Sequence, residues 1–185
     1  MNGFCNRINN DYPPMDNELL RYLNDHLAGS AGAIGLIKKL ADSAEDPEEA
    51  AYFTELEKKV EADRTLLKGL IDGLGHSSST VLETAGSITG AASRLKLLWE
   101  GMEAGRLGRF EGLEILSLGI QGKRLLWLML AELAPFVPEW RDIGFADLEL
   151  DAIAQRDALE RCRIQAGAAA LLDEKRRALI AARVA

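Results

Sequence analysis

Residues 21–40, RYLNDHLAGSAGAIGLIKKL, decide the fold of this chain, because they have the period of a long helix that is buried on one side. Apolar and small residues recur here at alternating steps of three and four, along one stripe of the helix surface. The members of that stripe are Leu20, Leu23, Leu27, Ser30, Ile34, Ile37 and Ala41. The pattern predicts the first helix of an antiparallel bundle, capped by Asp16 and ending near residue 42.

Small residues are unusually dense in this helix, where Gly29, Gly32 and Gly35 alternate with alanines and a serine. Each glycine costs roughly 1 kcal/mol relative to alanine inside a helix, so packing has to compensate. We interpret the glycines as positions where a neighbouring helix approaches closely. A small-ligand pocket or a dimer face above them are the alternatives.

The second helix has the clearest start of the chain, because Asp46 can cap it and Pro47 follows at the first helical position. A heptad of core positions runs through this helix: Phe53, Leu56, Val60, Asp63, Leu67, Leu70 and Leu74. Gly75 is expected to end it.

Three further helices are predicted after Gly75. A weaker one spans residues 80–99, and a glycine-rich loop follows it. A helix over residues 110–134 is apolar nearly all round, which indicates a central, well-covered element. After a turn that contains Pro135 and Pro138, the last helix starts near Ala146 and is expected to reach about residue 183. Its predicted core positions are Leu148, Ala152, Gln155, Leu159, Cys162, Ala166 and Ala169.

These elements predict an all-α fold: a four-helix bundle with an additional helix in a long crossover between the second and third bundle helices. A crossover of about 35 residues lets the third helix run parallel to the second, the topology of ferritin-like folds. A five-helix up-and-down bundle is the alternative. Residues 16–185 are predicted to form one domain, preceded by a flexible tail at residues 1–15.

Several polar residues fall on the predicted core faces. His26 and Asp63 lie about equally far from the turn between the first two helices, so a contact between them is expected. Glu114 and Arg163 have comparable depths in the last two helices and are predicted to form a buried ion pair. The predicted polar core therefore consists of His26, Asp63, Glu114, Gln155 and Arg163.

Carboxylates and an imidazole at the middle of four helices are the layout of a dinuclear metal site, which requires two Glu-x-x-His motifs. Here Arg64 follows Glu61, and Arg163 follows Glu160, at the spacing where histidine would ligate. Arginine has no lone pair for a metal, so no metal or other cofactor is expected. A divergent site for one iron, manganese or zinc ion would use His26, Glu61, Asp63 and Glu114.

Four segments carry a resemblance to a known family: LNDHLAGSAGAIGLI, ELEKKVEADRTLL, LEILSLGIQGKRLLW and AQRDALERCRIQAGAAAL. Over residues 17–173 the chain resembles an uncharacterised bacterial group within the ferritin-like superfamily. The resemblance implies a ferritin-like four-helix bundle with a degenerate metal site, and it implies no activity.

Composition excludes several classes of function. A net charge of −7 and a pI near 5.0 argue against a nucleic-acid binder. No apolar run is long enough to cross a bilayer, so no membrane association is expected. The two cysteines, Cys5 and Cys162, are far apart, which predicts no disulfide and a cytoplasmic protein, with Cys162 as a small buried hydrophobe.

No catalytic motif is recognisable, so the sequence favours a non-enzymatic interaction or scaffold protein that acts with a protein partner or as a homo-oligomer. Trp99, Trp127 and Trp140 would be candidates for an interface if they were exposed. The alternatives are a divergent metal-binding protein and a small-molecule carrier that uses a pocket in the bundle.

Overall fold

The computed structural model describes residues 17–75, 105–176 and 178, and this part of the chain is helical without any strand. Four long helices follow each other: α1 (Asn17–Asp42), α2 (Pro47–Gly73), α3 (Arg106–Leu133) and α4 (Phe145–Leu171). Two short 3₁₀ turns, Ala134–Phe136 and Pro138–Trp140, connect α3 to α4. The prediction of an all-α fold is confirmed. The predicted tail at residues 1–15, the cap at Asp16, the helix over residues 80–99, Cys5 and Trp99 lie outside the described residues.

The ends of α2 follow from local chemistry as the sequence predicts. Asp46 has an extended backbone, and its side chain accepts a hydrogen bond from the backbone N–H of Glu48. Pro47 occupies the first turn, where a missing N–H costs nothing. After the helix, Gly75 adopts a φ of +79°, a conformation that favours glycine.

Two helix ends differ from the predictions. The third bundle helix begins at Arg106 instead of Phe110, because Gly105 adopts a φ of +133° and Gly108 is accepted inside the helix as a buried residue. The last helix ends at Leu171 and not near residue 183, because Leu172 is extended. The alanines before Leu171 favour a helix. The described residues after Leu171 have no face that packs on the bundle.

The helices form two antiparallel hairpins, α1 with α2 and α3 with α4. In the first hairpin, Arg64 contacts Ser30 near one end and Lys38 contacts Glu57 nearer the turn. In the second, Arg163 lies against Glu114, while contacts closer to the turn join residues 124 and 149. Helix α1 packs directly on α3 and so joins the hairpins.

Helices α2 and α3 run parallel to each other. Two ion pairs join them, Glu49 with Arg109 and Asp63 with Lys123. The two residues of each pair are the same number of positions apart in the sequence. A constant sequence separation between paired residues is typical of two helices that run parallel. The parallel arrangement that the long crossover predicts is therefore present. Because a five-helix up-and-down bundle would give the same directions, the distinction between the two depends on residues 76–104, which lie outside the described residues.

The core is continuous across the four helices. Among its most buried side chains are Leu23 and Ile37 of α1, Phe53 of α2, Leu113 of α3 and Leu159 of α4. At the α3–α4 turn, two tryptophans and a phenylalanine close one end of the core: Trp127, Trp140 and Phe145. Trp127 and Trp140 are each only 1% exposed, so neither is available for an interface.

Helix α3 is not covered on all sides, contrary to the prediction from its apolar sequence. Leu118 is 72% exposed and Leu125 is 51% exposed, and Leu107 and Met129 are about half exposed on the same side. We call these four residues the α3 outer face. The helix has neighbours on its other sides, but this stripe faces away from the described core.

None of the described helices contains an apolar window long enough to cross a membrane.

Candidate functional site

A cavity of about 430 Å³ lies between α1, α2 and α3. Most of its wall is apolar, with Leu67 from α2 and Ile115, Leu126 and Trp127 from α3. A few polar side chains reach the same space: His26 of α1, Asp63 and Arg64 of α2, and Lys123 of α3. A mostly apolar pocket of this size with a small number of polar groups is the usual form of a small-molecule site.

Small residues create the cavity. Gly29, Ser30 and Ala33 on α1 face it, as do Gly119 and Gly122 on α3. A Cβ atom added at Gly29, Gly119 or Gly122 would meet no other group of the described residues within 4 Å. The interpretation of the α1 glycines as close-packing positions is therefore wrong for Gly29, which borders open space. At Gly29 the structure shows a cavity and not a close contact with a neighbouring helix.

Lys123 is the central polar residue of the site. Its Nζ donates to the carboxylate of Asp63 at 2.5 Å and to Oε1 of Gln155 at 2.6 Å, so it joins α2, α3 and α4. The side chains of Lys123 and Asp63 are only 13% and 14% exposed. Burial lowers the pKa of Lys123, and the charge of Asp63 opposes that shift. Asp63 and Gln155 occupy the core positions that the sequence predicts, and their common partner is a lysine.

His26 makes no hydrogen bond to Asp63, so the predicted contact between these two residues is wrong. Its ring packs edge-to-face on Tyr22, with centroids 4.7 Å apart. Burial lowers the pKa of His26, with the charge of Asp25 opposing, and the imidazole is neutral at neutral pH. The register explains the difference: because Arg64 faces Ser30, Asp63 lies about a turn beyond His26. Both residues still border the cavity.

Arg64 holds a fixed position in the seam between α1 and α2. Its Nη1 donates to the backbone carbonyl of Leu27 and, at 2.6 Å, to Oγ of Ser30. Within the part of the chain that the structure describes, Arg64 makes no ion pair. Burial lowers its pKa, and no carboxylate of the described residues lies close enough to oppose that shift.

Glu114 and Arg163 form the predicted ion pair, at 3.2 Å, but they do not belong to a buried polar core. The side chain of Glu114 is 46% exposed and that of Arg163 is 28% exposed. Arg163 also pairs with Glu160 at 2.8 Å, and Ser117 donates to Glu160. The cluster joins α3 to α4 on the outside of the hairpin, where solvent weakens each ion pair.

The residues of the alternative metal site are not brought together. Asp63 is paired with Lys123, Glu114 with Arg163, and Glu61 is an exposed residue near Lys38. Across residues 17–75 and 105–176, no group of three or more histidine, cysteine, aspartate or glutamate side chains is arranged to hold a metal ion. Basic side chains therefore pair with the carboxylates that the alternative metal site would use as ligands.

Lys123 is the residue of the candidate site that sequence reasoning missed. A long helix read as apolar on all sides gives no indication of which of its few charged residues turns inward, because lysine can extend its ammonium group along apolar surface. A spacing signal existed nonetheless: Lys123 follows Gly119 by one helical turn, on the side where small residues open the cavity.

Trp127 lines the cavity, but its indole nitrogen is buried within the protein and is not exposed to that space. The residue is 1% exposed, and its indole N–H has no hydrogen-bond partner among the described residues. Buried tryptophan N–H groups usually find an acceptor.

Comparison of the chain with protein-family models, with curated proteins and with solved structures finds no match in any of the three.

Proposed function

We propose that this protein is a non-enzymatic carrier that binds a small, mostly apolar molecule in the cavity between α1, α2 and α3. The observation that supports the proposal most directly is the cavity itself, because it is large, apolar and bordered by glycines whose Cβ positions are open. A cavity of this kind lowers packing density and costs stability, and a bound molecule would recover that free energy. On this proposal the bundle is ferritin-like in topology, and paired basic side chains occupy its degenerate metal site.

Decanol is a suitable first probe, because it is apolar over most of its length and carries no charge. We expect saturable binding by isothermal titration calorimetry and a higher melting temperature with the ligand present. The variant Gly29→Leu fills the cavity from α1 and should abolish both effects, since the added side chain has open space before it.

Gly69→Leu is the matched control for this variant. Gly69 is an exposed glycine inside α2, its Cβ position is equally open, and it does not border the cavity. Decanol should therefore bind Gly69→Leu as it binds the wild-type protein. Equal binding to both variants would exclude the cavity as the site, and no binding to the wild type would contradict the carrier proposal.

Self-association is the second candidate function, and the α3 outer face supports it. Four half-exposed or exposed apolar side chains, Leu107, Leu118, Leu125 and Met129, follow one side of a single helix. Apolar residues contiguous on a surface are typical of interfaces. A second copy of the chain is the occupant that we propose, because a two-fold axis would set the same leucines against each other.

Sedimentation velocity over a concentration series tests self-association. We expect a dimer whose population falls in Leu125→Glu, because a charge would be buried at the interface. Leu171→Glu is the control, since Leu171 is at least as exposed but lies at the end of α4. A monomer at all concentrations would exclude this candidate and leave the carrier proposal unaffected.

A further inference from the structure

Arg64 is the one basic side chain at the cavity for which the described residues provide no carboxylate. The other one, Lys123, is neutralised by Asp63 at 2.5 Å. Asp63 is also the chain neighbour of Arg64, so the nearest acid in the sequence is already engaged. Because arginine remains protonated in proteins, Arg64 brings an uncompensated positive charge to a partly desolvated position.

The free edge of the Arg64 guanidinium suits an anion with two oxygen atoms. A guanidinium has five N–H donors, and the hydrogen bonds of Arg64 to Leu27 and Ser30 use only Nη1. The remaining donors on Nε and Nη2 form the side that binds a carboxylate through two parallel hydrogen bonds. Leu27 and Ser30 hold the opposite side, so the group is oriented before any ligand arrives.

The surroundings of Arg64 restrict the charge and shape of the ligand. Asp25 also borders the cavity, and its negative charge would oppose an anion with more than one charge, whereas the charge of Asp63 is already paired with Lys123. Most of the remaining wall is apolar, including Val60 and Leu67 on the same helix as Arg64. A single negative charge at one end of an apolar molecule therefore fits best.

We propose that the ligand of the cavity is an apolar chain that ends in a carboxylate, and that Arg64 binds this carboxylate through its Nε and Nη2 edge. This inference rests on the proposed carrier function and specifies its ligand class. Burial of the ligand chain would supply most of the affinity, and the pairing with Arg64 would select monocarboxylates over neutral molecules of the same length.

Decanoate and decanol form the matched pair of probes, because they share one chain length and differ in the charged end group. Binding of each to the wild-type protein is measured by calorimetry below the micellar concentration. We expect decanoate to bind about tenfold or more tightly than decanol, the scale of a charge-assisted hydrogen-bond pair. The preference should decline with added salt, since part of it is electrostatic.

Arg64→Met removes the charge and keeps most of the length of the side chain. We expect this variant to lose the preference for decanoate, so that the two probes bind to it equally. Arg161→Met, at an exposed position on α4, is the control and should keep the preference for decanoate. Arg64→Lys retains a charge without the fork and should keep only part of the preference, which gives a second test if Arg64→Met does not fold.

The outcomes separate this inference from the carrier proposal. Equal binding of decanoate and decanol to the wild type would overturn the role of Arg64 and leave the carrier function in place. A preference for decanoate that survives in Arg64→Met would overturn it as well. If neither probe binds, both the ligand class and the carrier function are wrong.

Discussion

At the scale of single residues, the most unusual feature is a lysine in the middle of the bundle. Lys123 satisfies two polar groups from two other helices, the carboxylate of Asp63 and the amide of Gln155. An ammonium group and a carboxylate both lose hydration when they are buried, so each depends on the other for its charge. Removal of either partner should therefore lower the free energy of unfolding by more than the net stabilisation that the pair contributes.

Lys123→Met tests that dependence. It leaves Asp63 buried without a counter-charge, and we expect the free energy of unfolding to fall by about 3 kcal/mol in urea titrations. Arg124→Met is the matched control on the next residue, because the Arg124–Glu149 pair is more exposed and should contribute less than about 1 kcal/mol. Equal losses in the two variants would contradict a buried role for Lys123.

The double variant Asp63→Leu with Lys123→Met removes both charges. We expect it to recover more than half of the stability lost in Lys123→Met, because no unpaired charge remains from this pair. Gln155 would still lack its partner, so recovery should not be complete. A double variant less stable than either single variant would contradict this interpretation.

His26 makes stability depend on pH in a defined direction. Burial lowers its pKa below the ordinary value of 6.5, so at a pH between the two values the unfolded chain binds a proton that the folded protein does not. Stability is therefore fully present above pH 6.5 and is lost as the pH falls toward the folded pKa. The slope cannot exceed about 1.4 kcal/mol per pH unit for one group.

The variant His26→Gln should lose this contribution, so its unfolding free energy should vary less than that of the wild type between pH 6.5 and pH 5. Chemical denaturation at several pH values measures the difference. A wild-type protein that gains stability on acidification through this range, when His26→Gln does not, would show that His26 takes up its proton more readily when folded. That result would contradict a pKa lowered by burial.

Sequence reasoning placed Asp63 and Gln155 correctly but did not identify their common partner, Lys123. The heptad of α2 and the seam of α4 identify positions on one helix face, and that is a local property. Contacts between helices depend on register, which the short connection at residues 43–46 sets. A shift of about one turn there separates His26 from Asp63, and no periodicity within either helix reveals it.

At the scale of elements, helix ends are the features that local chemistry determines best. The start of α2 combines a side-chain cap from Asp46 with Pro47 in the first turn, and both were predictable. The start of α3 was less predictable, because Gly108 interrupts the pattern in the sequence and yet lies buried inside the helix. Tertiary packing overrides a weak local preference there.

Asp46→Ala should destabilise the protein by about 1 kcal/mol, because the backbone N–H of Glu48 loses its acceptor. Thermal or urea unfolding measures the loss. Asp42→Ala is the control at the other side of the same connection, where an acidic residue at the end of α1 opposes the helix dipole. Asp42→Ala should therefore cause no loss of stability, and a similar loss in both variants would contradict a specific capping role for Asp46.

Glycines at two positions should respond in opposite ways to alanine. Gly29→Ala should stabilise the protein by about 0.5–1 kcal/mol, because helix propensity improves and the Cβ has open space. Gly167→Ala should destabilise it, because a Cβ there would lie 2.8 Å from Cε2 of Phe110, too close without a shift of the ring. Stabilisation by both substitutions would contradict the packing at Gly167.

At the scale of the whole molecule, the directions of the four helices were predictable and the cavity was not. A long connection between the second and third helices indicates parallel neighbours, and the pairs Glu49–Arg109 and Asp63–Lys123 show that arrangement. The cavity requires small residues of α1 and α3 to meet at one height. Because that coincidence depends on three helices together, the glycines of α1 alone indicate close packing as readily as a pocket.

The exposed side of α3 is a further property of the whole molecule. A helix that is apolar on all sides is usually central, but a bundle of four helices leaves each helix with one outward side. The sequence of α3 does not distinguish coverage by its own chain from coverage by a partner. Leu118 and Leu125 mark the side where the described bundle provides no cover.

The central claim is that the cavity between α1, α2 and α3 binds an apolar molecule, and methyl NMR during a titration with decanol tests it most directly. The claim predicts saturable shifts of cavity methyl groups, such as those of Val60, Leu67 and Leu126, with no change at Leu159, which is buried outside the cavity. Shifts confined to Leu118 and Leu125 on the α3 outer face, or no saturable shifts, would contradict it.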